Sequence, residues 1–269
     1  MRIAAGGITL NYEREGNGTP LVLTHGLGDT LHFWDNVAAA LAAHHTVLRW
    51  DVRGFGLSDK PPGPYSPELL AADLAALLDA LGIEDAHIAG LSMGGVIAQR
   101  VALDHPTRVR SLVLVSTSSE VGPRGMANWQ RLADSIEHHG FGTGARDASR
   151  AFSPGFGAAH PDAVVAAGAQ TANNDPLAYA AAARAMSAYN WTADLARLRI
   201  PVLILQGLAD QLTPPGGSVK MHRMLPASRL LMVPDTGHSV SIEQPDLFTA
   251  TVLGFTAGVD ASKALAATK

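Results

Sequence analysis

The chain has 269 residues, of which 47% are hydrophobic and 16% charged, and its formal net charge is −4. A chain of that size hides about 70–75% of its unfolded surface on folding, enough for one catalytic domain with an insertion. The negative balance offers no basic field for a phosphate backbone, which argues against a nucleic-acid partner; the lack of cysteine excludes disulfides, thiol nucleophiles and thiolate metal sites.

Residues 1–7 lack the apolar stretch of a signal peptide, and no apolar run approaches the roughly 20 residues of a membrane span, so a cytoplasmic protein is the default expectation. From the N-terminus onward, short apolar runs at 21–24, 46–50, 86–91, 110–116, 202–206 and 229–233 are spaced by helical patterns. That alternation predicts a mainly parallel sheet covered by helices on both faces. The clearest helix starts at Ser66, an N-cap with Pro67 at the first helical position. It places Leu70, Leu74, Leu77, Leu78 and Leu81 on one buried stripe before Gly82 stops it.

Between Thr117 and about Leu195 the strands vanish. Alanine-rich helical stretches such as 178–188 take over, interrupted at 140–144 and 153–157. The expected organisation is a core of 1–117 and 195–269 with a helical insertion at 118–194. Residues 259–269, alanine-rich and without a useful apolar face, predict a flexible tail. The adjacent pairs His44-His45 and His138-His139 diverge on a helix, so they make poor metal sites, and no metal or cofactor is expected.

The pentapeptide Gly90-Leu91-Ser92-Met93-Gly94 lies between an apolar run and a helical segment. A serine on a sharp strand-to-helix turn takes strained backbone angles, and side chains two residues before and after it would collide, which is why the chemistry needs both glycines. The run 202–206 leads into a loop carrying Asp210, and the run 229–233 leads into the turn carrying His238. Serine, acid, histidine is the chain order of one of the three unrelated folds that use such a triad. Asp235 stands too near His238 in the same turn to be first choice as the acid. Glu120, beyond the predicted strand at 110–116, is the fallback.

These motifs, running from about Gly7 to about Phe255, resemble those of the α/β-hydrolases. His25-Gly26-Leu27-Gly28 followed by Trp34 is similar to the oxyanion-hole loop of that family, and 51–58 to the loop after its next strand. The stretch from Leu48 through 59–65 to Gly95 is most similar to 3-oxoadipate enol-lactonases and related small esterases. The resemblance implies an eight-stranded, mostly parallel sheet with a helical cap inserted after the sixth strand. It also implies an oxyanion hole made by the backbone N–H groups of Leu27 and Met93.

Trp34, Met126, Trp129, Phe141, Phe152, Trp191 and Leu212 are candidates to line an apolar pocket. For any one of them, packing the cap onto the core is the simpler role. Gly54-Phe55-Gly56 lacks the third glycine of a dinucleotide fingerprint, and Arg53 reads as a structural brace. A serine rather than an aspartate nucleophile argues against dehalogenase and epoxide-hydrolase chemistry.

The expected function is a cofactor-free carboxylesterase acting on a small ester through an acyl-enzyme. The first alternative is a lactonase of the enol-lactonase type, which needs a cation for its substrate's carboxylate, with Arg124 and Arg131 as candidates. Further alternatives are a perhydrolase side activity and a slow-turnover receptor on the same fold. The partner is a small molecule, with no membrane; a homodimer stays open.

Overall fold

A computed structural model describes residues 1–142 and 147–267. Eight strands form one sheet: β1 (Arg2–Ala5), β2 (Ile8–Glu15), β3 (Pro20–Thr24), β4 (Thr46–Trp50), β5 (Ala86–Leu91), β6 (Val109–Val115), β7 (Val202–Gly207) and β8 (Ser228–Val233). Their spatial order is β1-β2-β4-β3-β5-β6-β7-β8. The pairings of β2 with β1 and with β4 are antiparallel, and the rest are parallel. Six strands match the apolar runs. The other two of the eight expected strands, β1 and β2, match no apolar run, because their residues are only partly buried and give no continuous apolar signal.

The helices are α1 (Asp35–Ala42), α2 (Pro67–Ala80), α3 (Met93–Asp104), α4 (Pro123–His139), α5 (Pro154–Ala159), α6 (Pro161–Ala172), α7 (Pro176–Ala185), α8 (Gly216–Met224), α9 (Val240–Glu243) and α10 (Pro245–Ala267). Successive strand residues point to opposite faces, and both faces are covered. Val22, Leu48, Ile88, Leu112 and Ile204 pack with residues of α2 and α3, whereas Leu21, Val47, Ala89, Val113 and Leu203 pack with α1 and α10. Because no strand residue of β5 is left in solvent, β5 reads as an unbroken apolar run. Helix α2 is built as its sequence dictates. The Ser66 hydroxyl accepts from the Leu69 N–H at 3.2 Å, Pro67 opens the helix, and Leu70, Leu74, Leu77 and Leu78 are buried.

Between β6 and β7 the described residues hold α4 to α7 and no strand of the sheet. The stretch 153–157 is not an interruption. Ser153 caps a short helix, accepting from the Phe156 N–H, with Pro154 at its start; cap and proline together outweigh the two glycines. Of the other expected break, Thr143 and Gly144 lie outside the described residues. His44 and His45 sit in the turn before β4 rather than on a helix.

The expected tail is instead the end of α10, which runs to Ala267; Thr268 and Lys269 lie outside the described residues. Phe248, Val252, Phe255 and Val259 form a buried stripe at helical spacing. Asp260 accepts from Arg110 Nη1 at 3.2 Å, and Lys263 Nζ donates to Asp85 at 2.8 Å. Among the described residues no helix is long and apolar enough to cross a membrane.

Candidate active site

The ends of β3, β5, β7 and β8 lie along one edge of the sheet, because these strands are parallel, and the loops leaving them carry the candidate residues. Ser92 joins β5 to α3 with φ 53° and ψ −114°, a left-handed conformation that costs a non-glycine residue about 1–3 kcal/mol. The turn closes only because its neighbours lack side chains. A Cβ on Gly90 would lie 2.2 Å from the backbone of Gly94, and one on Gly94 would lie 2.2 Å from the Thr24 carbonyl oxygen. The strained serine is held by its own N–H, which donates to Val115, and by the Thr117 hydroxyl, which donates to the Ser92 carbonyl at 2.8 Å.

Asp210 is buried in the loop after β7. Its Oδ1 accepts from the N–H groups of Leu212 and Thr213 at 2.8 and 2.9 Å, and its Oδ2 from Gln206 Nε2 at 3.1 Å. Burial alone raises a carboxyl pKa, but the neighbouring His238 and the N–H donors outweigh it and hold Asp210 below the usual carboxylate range. The remaining contact of Oδ2 is His238 Nδ1, at 2.9 Å. An ionised carboxylate only accepts, so Nδ1 carries the proton and Nε2 is left as the basic nitrogen.

His238 and Ser92 both line a cavity of about 410 Å³. No hydrogen bond joins the Ser92 hydroxyl to His238 among the described residues, and such contacts are often long without substrate. Glu120, the fallback acid, pairs with Lys220 and accepts from the Thr192 hydroxyl, away from His238.

The loop after β3 is braced by a buried histidine. The Val52 N–H donates to His25 Nε2 at 3.0 Å, so the ring proton is on Nδ1, which donates to the Gly26 carbonyl at 2.7 Å. Burial lowers the His25 pKa, consistent with this neutral tautomer. Leu27 follows, lining the cavity, and its N–H has no protein acceptor among the described hydrogen bonds. Met93 opens α3, where the first N–H groups have no intrahelical acceptor. Arg53 makes a buried two-point ion pair with Asp73, as expected of a brace.

Of the pocket candidates, Phe152 and Leu212 line the cavity, and Leu212 and Trp129 line a second one of about 290 Å³ that also touches Ser92. The other four are corrected. Trp34 is fully buried against Phe248 under the opposite face of the sheet, and Trp191 stacks on Tyr189 with its Nε1 donating to Gln99. Phe141 packs edge-on against Tyr179, and Met126 is exposed on α4. Beside Phe33, Phe152 and Tyr179, the wall of the main cavity takes in the small residues Ala148, Ala151, Ala163, Ala166 and Ala167.

One cavity residue escaped the sequence reading. Asp29 follows the His25-Gly26-Leu27-Gly28 turn and lines the cavity with Ser92 and His238. Burial raises its pKa to about 7, although the nearby His238 opposes the rise. An aspartate after glycine reads as an ordinary turn residue, so the sequence carried no signal.

Residues 19–245 match the alpha/beta hydrolase fold family, and the chain belongs to it. A relative from Azorhizobium caulinodans, whose name assigns it provisionally as the carbamate hydrolase RutD, is 32% identical over 97% of this chain and 100% of its own. The 3-oxoadipate enol-lactonase 2 of Acinetobacter baylyi is 30% identical over 93% of this chain and 94% of its own length. Among solved structures, a thermophilic esterase from Thermogutta terrifontis superposes with a TM-score of 0.91 at 30% identity, covering 96% of this chain and 99% of the esterase.

Proposed function

We propose that the chain is a serine hydrolase that cleaves small carboxylic esters through an acyl-enzyme. In this reading Ser92 attacks the ester carbonyl and His238 Nε2 takes its proton, then returns it to the leaving alcohol. Asp210 holds the imidazole in the required tautomer and stabilises its charged form. The N–H groups of Leu27 and Met93 receive the developing oxyanion, each worth about 100- to 1,000-fold in rate. Water activated by His238 then releases the acid.

The observation that carries the reading is the 2.9 Å bond from His238 Nδ1 to Asp210, which leaves Nε2 available on a residue that shares a cavity with the strained Ser92. The test is Ser92→Ala assayed on short p-nitrophenyl esters, where about a million-fold loss is expected because such residues act as a unit. Near-normal turnover by that variant sinks the assignment.

Lactone hydrolysis is the second reading, supported by similarity to the Acinetobacter baylyi enol-lactonase. Arg124 and Arg131, the cations considered for an anionic lactone, are exposed on α4 and line neither cavity. That weighs toward esters. A panel of γ-, δ- and enol-lactones beside the esters separates the two.

A further inference from the structure

Three observations at Asp29 converge. Its carboxyl lines the same cavity as Ser92 and His238. Its Oδ2 lies 3.1 Å from the point where a Cβ on Gly26 would stand, and the Ser92 Cβ lies 3.6 Å from that same point; end to end, these two distances bound the carboxylate's separation from Ser92 Cβ at about 7 Å. No hydrogen bond or ion pair occupies the Asp29 side chain among the described contacts; the only bond of the residue there is its backbone N–H to Gly26. An acid with a free acceptor therefore faces the place where the scissile carbonyl must sit.

The charges around it do not offset it. The other titratable residues lining the cavity are His32, Asp147, Tyr179 and His238, with no lysine or arginine among the described lining residues. His32 is paired with Asp35 at 3.1 Å, and the Asp147 carboxylate accepts from the Ser149 N–H. The remaining wall is alanine and larger apolar side chains with the uncharged polar groups of Thr30, Gln170, Thr171 and Ser239.

We infer that Asp29 is a specificity-determining residue, excluding acyl groups that carry a carboxylate and favouring uncharged acyl groups with an O–H or N–H donor near the reacting carbonyl. The inference rests on the ester-hydrolase reading and names the class of substrate that site takes. Two like charges within about 10 Å of each other, at the effective dielectric of about 20 typical near a protein surface, repel enough to change a rate about ten-fold. A donor on a neutral acyl chain finds instead an acceptor that needs one. The carboxyl titrates near pH 7, so exclusion is strongest in alkaline solution.

The test compares kcat/KM for p-nitrophenyl butyrate and for the p-nitrophenyl monoester of succinate, which is similar in length but anionic, at pH 6.0 and pH 8.5. Taking the ratio cancels the ionisation of His238, which serves both esters. Wild type is expected to prefer butyrate, with the preference rising about ten-fold or more from pH 6.0 to 8.5. Asp29→Asn is expected to flatten that dependence and to narrow the preference at pH 8.5 by a similar factor. A wild-type ratio independent of pH overturns the inference, and so does an active Asp29→Asn enzyme that keeps the full pH dependence, since another group such as His32 would then be responsible. Should the variant not fold, His32→Ala takes its place in the comparison: a pH dependence that survives it supports Asp29, and one that vanishes with it overturns the inference. Absence of any butyrate hydrolysis by wild type faults the ester-hydrolase reading itself, whereas brisk hydrolysis without discrimination faults only Asp29.

Discussion

Asn174, between α6 and α7, donates from Nδ2 to the carbonyl oxygen of Gly28 at 2.7 Å, tying the inserted helices to the loop that carries Leu27. The same amide nitrogen also reaches the carbonyls of Gln170 and Thr171 at 3.0 Å, so the side chain is locked from both sides. Gly28 itself stands at φ 89° with Tyr179 3.0 Å from its missing Cβ, so α7 also packs closely against the loop. In Asn174→Ala the Gly28 carbonyl keeps only the longer contact from Gln170 Nε2 at 3.4 Å, at a cost of about 1 kcal/mol, and the Leu27 N–H loses its alignment. The expected outcome is a roughly ten-fold fall in kcat with KM nearly unchanged. Steady-state kinetics on a short ester, beside a melting curve, check it.

Asp210 makes two separable predictions, one kinetic and one thermodynamic. Asp210→Asn keeps the shape but offers Nδ1 of His238 no compelling acceptor, so the tautomer is no longer imposed and kcat should fall about 10,000-fold. The carboxyl pKa is lowered in the folded state by His238 and the N–H donors despite burial. Its contribution to stability is therefore full above the ordinary carboxylate pKa and is lost as pH falls through the lower folded value. Wild type should lose stability more steeply than the variant on acidification below about pH 4; parallel urea titrations at pH 3 and pH 6 would expose equal slopes if this is wrong.

What the sequence disclosed and what it hid divide along a physical line. Ser92, Asp210 and His238 were legible because their chemistry demands fixed residue types after buried strands, and buried strands write continuous apolar runs. The cavity wall was not legible. Phe152, among the aromatic candidates, lines it because it follows a turn pressed against Gly237, a contact between residues far apart in the chain. The alanines among the lining residues are invisible in helical segments where alanine is the ordinary residue. α10 was cut short in the reading for a related reason: Asp260 and Lys263 look like solvated tail charges until Arg110, His87 and Asp85 are brought beside them.

Asp29 also predicts a stability effect opposite in sign to that of Asp210. Its folded pKa is raised to about 7 by burial, against the opposing pull of His238, so the folded state binds the extra proton between the ordinary carboxylate range and pH 7. Stability falls as pH rises through that window. Above it the chain carries a buried charge that Asn lacks. Asp29→Asn should therefore raise Tm at pH 8.5 by a few degrees, corresponding to about 1–2 kcal/mol. At pH 4, where the folded acid is neutral, most of the gain should be gone. Calorimetry at the two pH values tests the sign directly, and a lower Tm for the variant at pH 8.5 contradicts it.

Glu243 ties the loop that carries His238 to the inserted segment that carries Ser153. Its carboxylate accepts from the Gly237 N–H at 2.9 Å and from the Ser153 N–H at 3.1 Å, while the Ser239 N–H donates to Ala151 at 3.0 Å. The two segments approach so closely that a Cβ on Gly237 would stand 2.4 Å from the backbone of Phe152. His238 lies between these anchors. Glu243→Ala strands two buried donors and should cost about 1.5–3 kcal/mol, the range for a hydrogen bond to a charged acceptor. The looser His238 turn should lower kcat about ten-fold. Glu243→Gln retains one carbonyl oxygen able to accept from both N–H groups and should recover most of the loss in each measurement. If the two variants prove equal in Tm and in kcat, the carboxylate does not hold the turn, and the position of His238 must be set by Asp210 alone.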